Sequence, residues 1–156
     1  MEYRPIAPEH DVAVAELIRS NLKAHRLDIP GTVYFDAGLD HLSEFYAEPN
    51  RAYYVLLEDE AVIGGVGYAA FEGFADCCEL QKLYLCDAAK GKGLGYELLA
   101  FIEDRAREAG FLRMYLETHT NLQAAIHLYE KTGYRQIPRP ECVVHGTMNR
   151  FYLKEL

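Results

Sequence analysis

Apolar and polar positions recur along this chain with two different periods, and the switches between them outline its elements. Tyr3–Ile6 reads as a short strand closed by Pro8. Between Asp11 and Leu22, apolar Val14, Leu17, Ile18 and Leu22 repeat at helical spacing and predict an amphipathic helix. Ile29-Pro30-Gly31 belongs to a loop of turn formers, and Leu39–Ala47 predicts a second helix that stops ahead of Pro49. The period then shortens. Ala52–Leu57 is rich in Tyr, Val and Leu, Glu58-Asp59-Glu60 is a polar turn, and Ala61–Phe71 is apolar again, so the three together predict a hairpin. Gly64, Gly65 and Gly67 either weaken the second arm or mark a close approach to the backbone.

Glu79–Leu85 predicts a further strand. Helical spacing returns from about Gly93 to Ala109, with Leu94, Leu98, Leu99, Ile102 and Ala106 on one stripe and Gly110 as the C-terminal stop. Leu112, Met114 and Leu116 alternate with Arg113, Tyr115 and Glu117, the period of a strand. Asn121 is expected to cap a helix ending at Gly133, and Met148–Leu153 is the expected last strand, after a loop containing Pro138 and Pro140. Strand, two helices, three strands, helix, strand, helix and closing strand or strands fit a mixed sheet covered by helices on both faces.

Composition narrows the class. At 156 residues the chain has the length of one domain, taken as 1–156. A domain of that size buries about two-thirds of its unfolded surface and needs no metal or disulfide staple. The net charge of −8 argues against nucleic acid, whose phosphates demand a basic face. Cys77, Cys78, Cys86 and Cys142 show no metal-type spacing, and no metal is expected. The adjacent pair Cys77 and Cys78 would point to opposite faces of a strand. The start of the chain lacks a signal-peptide pattern, and no run approaches the roughly 18 apolar residues that span a bilayer. The expectation is a cytoplasmic protein that engages no membrane.

The chemistry concentrates in Lys90-Gly91-Lys92-Gly93-Leu94-Gly95, between a strand and a helix. Three alternating glycines remove the Cβ atoms that would keep a ligand off the backbone. The following helix offers unpaired N–H groups and the positive end of its dipole at the same place, which makes a phosphate site. The loop matches neither a P-loop, which needs Ser or Thr after Gly-Lys, nor the Gly-x-Gly-x-x-Gly dinucleotide fingerprint.

The stretch Glu79–Tyr134 resembles the acetyl-CoA-binding half of the GNAT superfamily. It carries Glu-Leu-Gln-Lys-Leu-Tyr-Leu, then Lys-Gly-Lys-Gly-Leu-Gly, then Leu-Glu-Thr-His-Thr-Asn, then Ala-Ile-His-Leu-Tyr-Glu-Lys-Thr-Gly-Tyr. Lys90 stands where that family usually has Arg or Gln, which keeps a charge but loses the planar fork. The resemblance implies an α/β (α+β) domain with a mixed, mostly antiparallel central sheet. It implies acetyl-CoA as cosubstrate, with Leu83, Tyr84 and Leu85 along the pantetheine arm. Lys90, Gly91, Lys92, Gly93, Leu94 and Gly95 would hold the pyrophosphate, and Asn121 and Tyr129 would face the cofactor.

It further implies N-acetyltransfer to a primary amine of a small molecule, peptide or protein, by direct attack in a ternary complex. Tyr129, on the stripe with Leu122, Ala125 and Ile126, is the candidate acid for the leaving thiolate. Glu79, eleven residues before Lys90, is the candidate base, and a backbone N–H at Leu85 the candidate oxyanion donor. Tyr34, Phe35 and His145 are candidates for the acceptor side. A ping-pong route through Cys86 lacks a nearby His–carboxylate pair to activate the thiol. The alternative is a CoA-binding sensor module without turnover. Dimers are common among relatives, so a homodimer stays open.

Overall fold

The computed structural model describes residues 1–143 and 146–156, which leaves the candidate His145 outside the described residues. Seven strands form one sheet in the order β1-β2-β3-β4-β5-β7-β6. They are β1 (Glu2–Pro5), β2 (Arg51–Glu58), β3 (Ala61–Ala70), β4 (Cys77–Leu85), β5 (Arg113–Thr118), β6 (Arg135–Ile137) and β7 (Arg150–Glu155). Every neighbouring pair is antiparallel except β4 and β5. That parallel pair needs a crossover, which is α3 (Leu94–Glu108).

The helical stripes in the sequence fall on two faces. On one, α1 (Asp11–Ala24) buries Val14, Ile18 and Leu22 against Tyr53, Val55 and Leu57 of β2. On the other, α3 and α4 (Gln123–Lys131) bury Leu98, Leu99, Ile102, Leu128 and Tyr129 against Leu56, Val66, Leu80 and Leu116. Cys77 and Cys78 separate to opposite faces, as strand alternation requires. Each fully buried aliphatic side chain contributes about 1.5–3 kcal/mol, so burial on both faces holds the helices against the sheet. Gly110 (φ +96°) and Gly133 (φ +99°) end α3 and α4 in left-handed turns, with Phe111 and Tyr134 N–H groups returning to Ala106 and Tyr129 carbonyls.

Two local expectations are corrected. Residues 39–47 form no continuous helix: a 3₁₀ stretch (Ala37–His41) leads into a single turn, α2 (Leu42–Phe45). The buried Asp11 carboxylate accepts from the Ser43 N–H (2.9 Å) and hydroxyl (2.6 Å), taking the donor that a continuous helix would spend on Leu39. Asn121 does not cap α4. The cap residue is Leu122, without a side-chain bond, and the Asn121 amide donates instead to the His25 carbonyl at 2.9 Å.

The pair β4–β5 positions the site. Its register covers only Cys77–Glu79 against Arg113–Tyr115, although β4 continues to Leu85 and β5 to Thr118. The strands part because β4 carries a bulge: Gly65 opposes Tyr84 and Gly67 opposes Gln81, which leaves Lys82 and Leu83 opposite Val66. Lys82 takes the extra turn at φ +52°. A bulge bends its strand and raises its twist, and here it turns β4 away from β5.

Candidate active site

The opening between β4 and β5 is a cavity of about 380 Å³. Leu83, Tyr84 and Leu85 form one wall, Leu116, Glu117 and Thr118 the other, and Tyr129 with Leu128 closes the α4 side. Its mouth is the loop Lys90, Gly91, Gly93, Leu94 and Gly95. The structure thus brings most of the expected cofactor residues around one space.

The backbone does the shaping. Gly91 (φ +76°) and Gly93 (φ +79°) are left-handed, and a Cβ built on either would meet nothing within 4 Å, so both open onto free space. Gly93 is also the cap residue of α3, whose first amides therefore point at the mouth with the helix dipole behind them. Along β4, the Cys86 N–H bonds the Ile63 carbonyl at 2.8 Å. Antiparallel alternation then directs the Leu85 N–H and C=O to the opposite edge, into the opening. The Leu85 carbonyl is held there by the Asn21 amide at 3.0 Å.

Lys90 reaches the Asp87 carboxylate at 2.9 Å in an exposed ion pair. Lys92 is exposed and lies outside the lining, as does Asn121 at the surface.

Tyr129 is buried at 7% exposure, and its hydroxyl makes no hydrogen bond among the described residues. Tyr134 (5.8 Å between centroids) and Tyr152 (6.4 Å) fix its ring. Burial, with Tyr84 beside it, raises its phenol well above the ordinary tyrosine value, which keeps it a proton donor at neutral pH. Burial likewise pushes Tyr84 up to about 12. Beneath them, Tyr134 donates to the buried Glu103 at 2.8 Å and Lys154 pairs with Glu103 at 2.9 Å, which makes a rigid support.

Glu79 stands outside this lining, on the α1 face of β4 where the strands begin to part. Gln81 donates to its Oε1 at 2.9 Å. Burial raises its carboxyl above the usual range against the pull of that amide; Glu117 adds to the rise and Lys82 opposes it. A carboxylate so raised is a better base near neutrality. Gln81, Lys82, Tyr46, Tyr115 and Glu117 share this surface. Tyr46 donates to Gln81 at 2.7 Å and accepts from Lys82 at 3.1 Å, while Tyr115 donates to Glu117 at 2.8 Å.

Tyr34 packs edge-on to the exposed Phe35 in a 3₁₀ turn over the α1 core. Cys86 faces a separate cavity of about 410 Å³ among α1 and β3 residues.

Asn21 of α1 and His25, the residue that caps its C-terminus, line the main cavity without having been expected from the sequence. The available signal was Asn21 itself, a polar position on the apolar stripe of Leu17, Ile18 and Leu22. Tyr46 and Gln81 carried no comparable sign, and Lys82 only its charge inside a strand.

The family profile described as "Acetyltransferase (GNAT) family" matches residues 11–134. Over 136 residues, 86% of this chain and 81% of the relative, the sequence is 39% identical to an Escherichia coli K12 protein described as uncharacterized N-acetyltransferase YjgM. A GNAT-family acetyltransferase structure from Staphylococcus aureus Mu50 superposes with a TM-score of 0.86 at 17% identity, covering 99% of this chain and 98% of that one. PaiA N-acetyltransferase from Thermoplasma acidophilum, solved in complex with coenzyme A, gives 0.76 at 18% identity over 99% and 98% of the two chains. At these identities the likeness of structure establishes the fold.

Proposed function

The chain belongs to the GNAT acetyltransferase family and is an N-acyltransferase, and from that premise we propose that it transfers the acetyl group of acetyl-CoA to a primary amine by direct attack in a ternary complex. One observation carries the proposal: the β4–β5 opening joins a phosphate-type mouth to a buried, uncommitted tyrosine hydroxyl, and a carboxylate raised by burial stands outside its lining on the α1 face of β4 where the strands begin to part.

In this scheme the amides from Gly91 to Gly95 cradle the pyrophosphate, and the outward edge of Leu83–Leu85 receives the pantetheine arm as an added strand would. Holding the thioester and the amine together lowers the barrier by proximity. An alkylammonium has a pKa near 10, so only about one part in a thousand is free base at pH 7. Glu79 takes the ammonium proton, directly or through water. The amine nitrogen then bonds to the thioester carbon, the Leu85 N–H steadies the oxyanion, and the C–S bond breaks as Tyr129 protonates the sulfur. The second proton shed by the nitrogen passes to solvent, and solvent reprotonates Tyr129. Cys86 lies in a different cavity, which supports direct attack over an acyl-cysteine route. A sensor module would need neither Glu79 nor Tyr129 in these positions.

A thiol-release assay over amines, polyamines, amino acids and peptides tests the scheme. Tyr129→Phe is expected to lower kcat by about 10²-fold, the scale of one general acid, with acetyl-CoA affinity retained. Wild-type turnover in Tyr129→Phe and Glu79→Gln on a good substrate would refute the roles. The absence of saturable acetyl-CoA binding at millimolar ligand would refute the function itself.

A further inference from the structure

Lys82 is placed by strain. It is a non-glycine residue at φ +52° inside a strand, a conformation L side chains adopt at a cost and keep where the surroundings demand it. The bulge has one visible result: Gln81 and Lys82, adjacent in sequence, both reach the Tyr46 hydroxyl, although regular alternation would send them to opposite faces. The ammonium therefore lies on the Glu79 face, over the Tyr46 ring (5.3 Å) and the Phe45 ring (5.5 Å).

Its only hydrogen bond among the described residues is to the neutral Tyr46 oxygen. Burial lowers its ammonium below the ordinary lysine range, Glu79 and Asp36 oppose that from a distance, and no described carboxylate lies within 4.0 Å of its Nζ. A half-buried ammonium with donors to spare, bordering the cavity proposed for acetyl transfer, is a waiting half of an ion pair. Beside it, Glu79 keeps Oε2 uncommitted and Glu117 keeps Oε1 uncommitted.

We propose that Lys82 binds a carboxylate carried by the acceptor, so that the amine acetylated is that of a free amino acid. The inference rests on the acetyl-transfer function proposed above. A zwitterion presents its ammonium and carboxylate side by side, matching Glu79 and Lys82 three positions apart on one strand. A polyamine would bring a second cation to Lys82, and the amino terminus of a peptide has no carboxylate beside it. A dianionic phosphate would meet Glu79, Glu117 and Asp36 around a single positive charge, so a monoanion is the better fit.

The test measures acetyl-CoA-dependent thiol release with the twenty proteinogenic L-amino acids. Alongside run the decarboxylated counterparts of methionine, phenylalanine and leucine (3-(methylthio)propylamine, phenethylamine and isoamylamine), spermidine and a blocked-C-terminus peptide. At least one amino acid is expected to exceed its amine in kcat/KM by about 10- to 100-fold, the range of a charge-assisted hydrogen bond. Lys82→Met should raise the amino-acid KM by about tenfold or more with a much smaller change in kcat, and erase the preference over the amine. Lys82→Arg should recover most of it, which a purely structural lysine would not predict. Equal rates for acid and amine, equal loss on both in Lys82→Met, or turnover confined to spermidine or peptide would each overturn the proposal while leaving acetyl transfer standing. Saturable acetyl-CoA binding with no amino acid acetylated overturns it equally. Loss of acetyl-CoA binding in the wild-type protein would instead bring down the function on which it rests.

Discussion

The two sides of the β4–β5 opening are built from different materials. The mouth toward α3 is backbone: left-handed Gly91 and Gly93, the first amides of α3 and the outward edge of Leu83–Leu85, all within fifteen consecutive residues, 81–95. The α1 face is side chains: Tyr46 from just past α2, Glu79, Gln81 and Lys82 from β4, and Tyr115 and Glu117 from β5. A backbone site tolerates exchange of its charged residues and fails when its dihedrals change. A side-chain site does the reverse. Under the proposed function, acceptor specificity could change on the α1 face without disturbing the mouth.

Substitutions on each side break or sharpen that contrast. The largest effect is expected from Glu79→Gln, with acceptor kcat/KM lowered by about 10²–10⁴-fold and acetyl-CoA affinity preserved by calorimetry. Burial holds the folded pKa of Glu79 above its unfolded value, so the native state loses stability as pH rises through that folded value. Glu79→Gln should therefore raise Tm at neutral pH, with the gain vanishing in acid where the native carboxyl is already protonated. The wild-type pH–rate profile should show its acidic limb above the ordinary carboxylate range; a limb near pH 4 would remove Glu79 as the base.

Gly93→Val comes next. It places a β-branched residue at φ +79° and a Cβ in the free space of the mouth, and should weaken acetyl-CoA binding by roughly 10- to 100-fold, on strain of about 1–3 kcal/mol. An unchanged Kd would mean that the mouth does not hold the pyrophosphate. Tyr46→Phe deletes the link between Gln81 and Lys82. A loss of about 0.5–1.5 kcal/mol in denaturant unfolding is expected, together with a raised acceptor KM and an unaltered acetyl-CoA Kd. Lys90→Ala should do least. Its ion pair with Asp87 is exposed, and a contribution of at most about 1 kcal/mol limits the change in Kd to about fivefold.

Elements set by neighbouring residues are legible in the sequence, and those set by distant groups are not. The stripe of α3, the glycine punctuation at 110 and 133, the hairpin and the Lys90–Gly95 turn follow from neighbouring residues, and each appears where periodicity and turn chemistry put it. Asn121 and the 39–47 segment went astray because distant groups, the His25 carbonyl and the Asp11 carboxylate, outbid the local hydrogen bonds.

By itself, then, the sequence determined the order of elements, the two buried helix faces and a glycine turn leading into α3, because helix and strand periods and glycine dihedrals act over a few residues. Only the tertiary structure decided that β4 parts from β5, that Lys82 turns onto the face of Glu79, and that Asn21 and His25 enter the cavity. Those outcomes depend on a one-residue mismatch with β3 and on α1 packing across strands far away in sequence, and no periodicity records either.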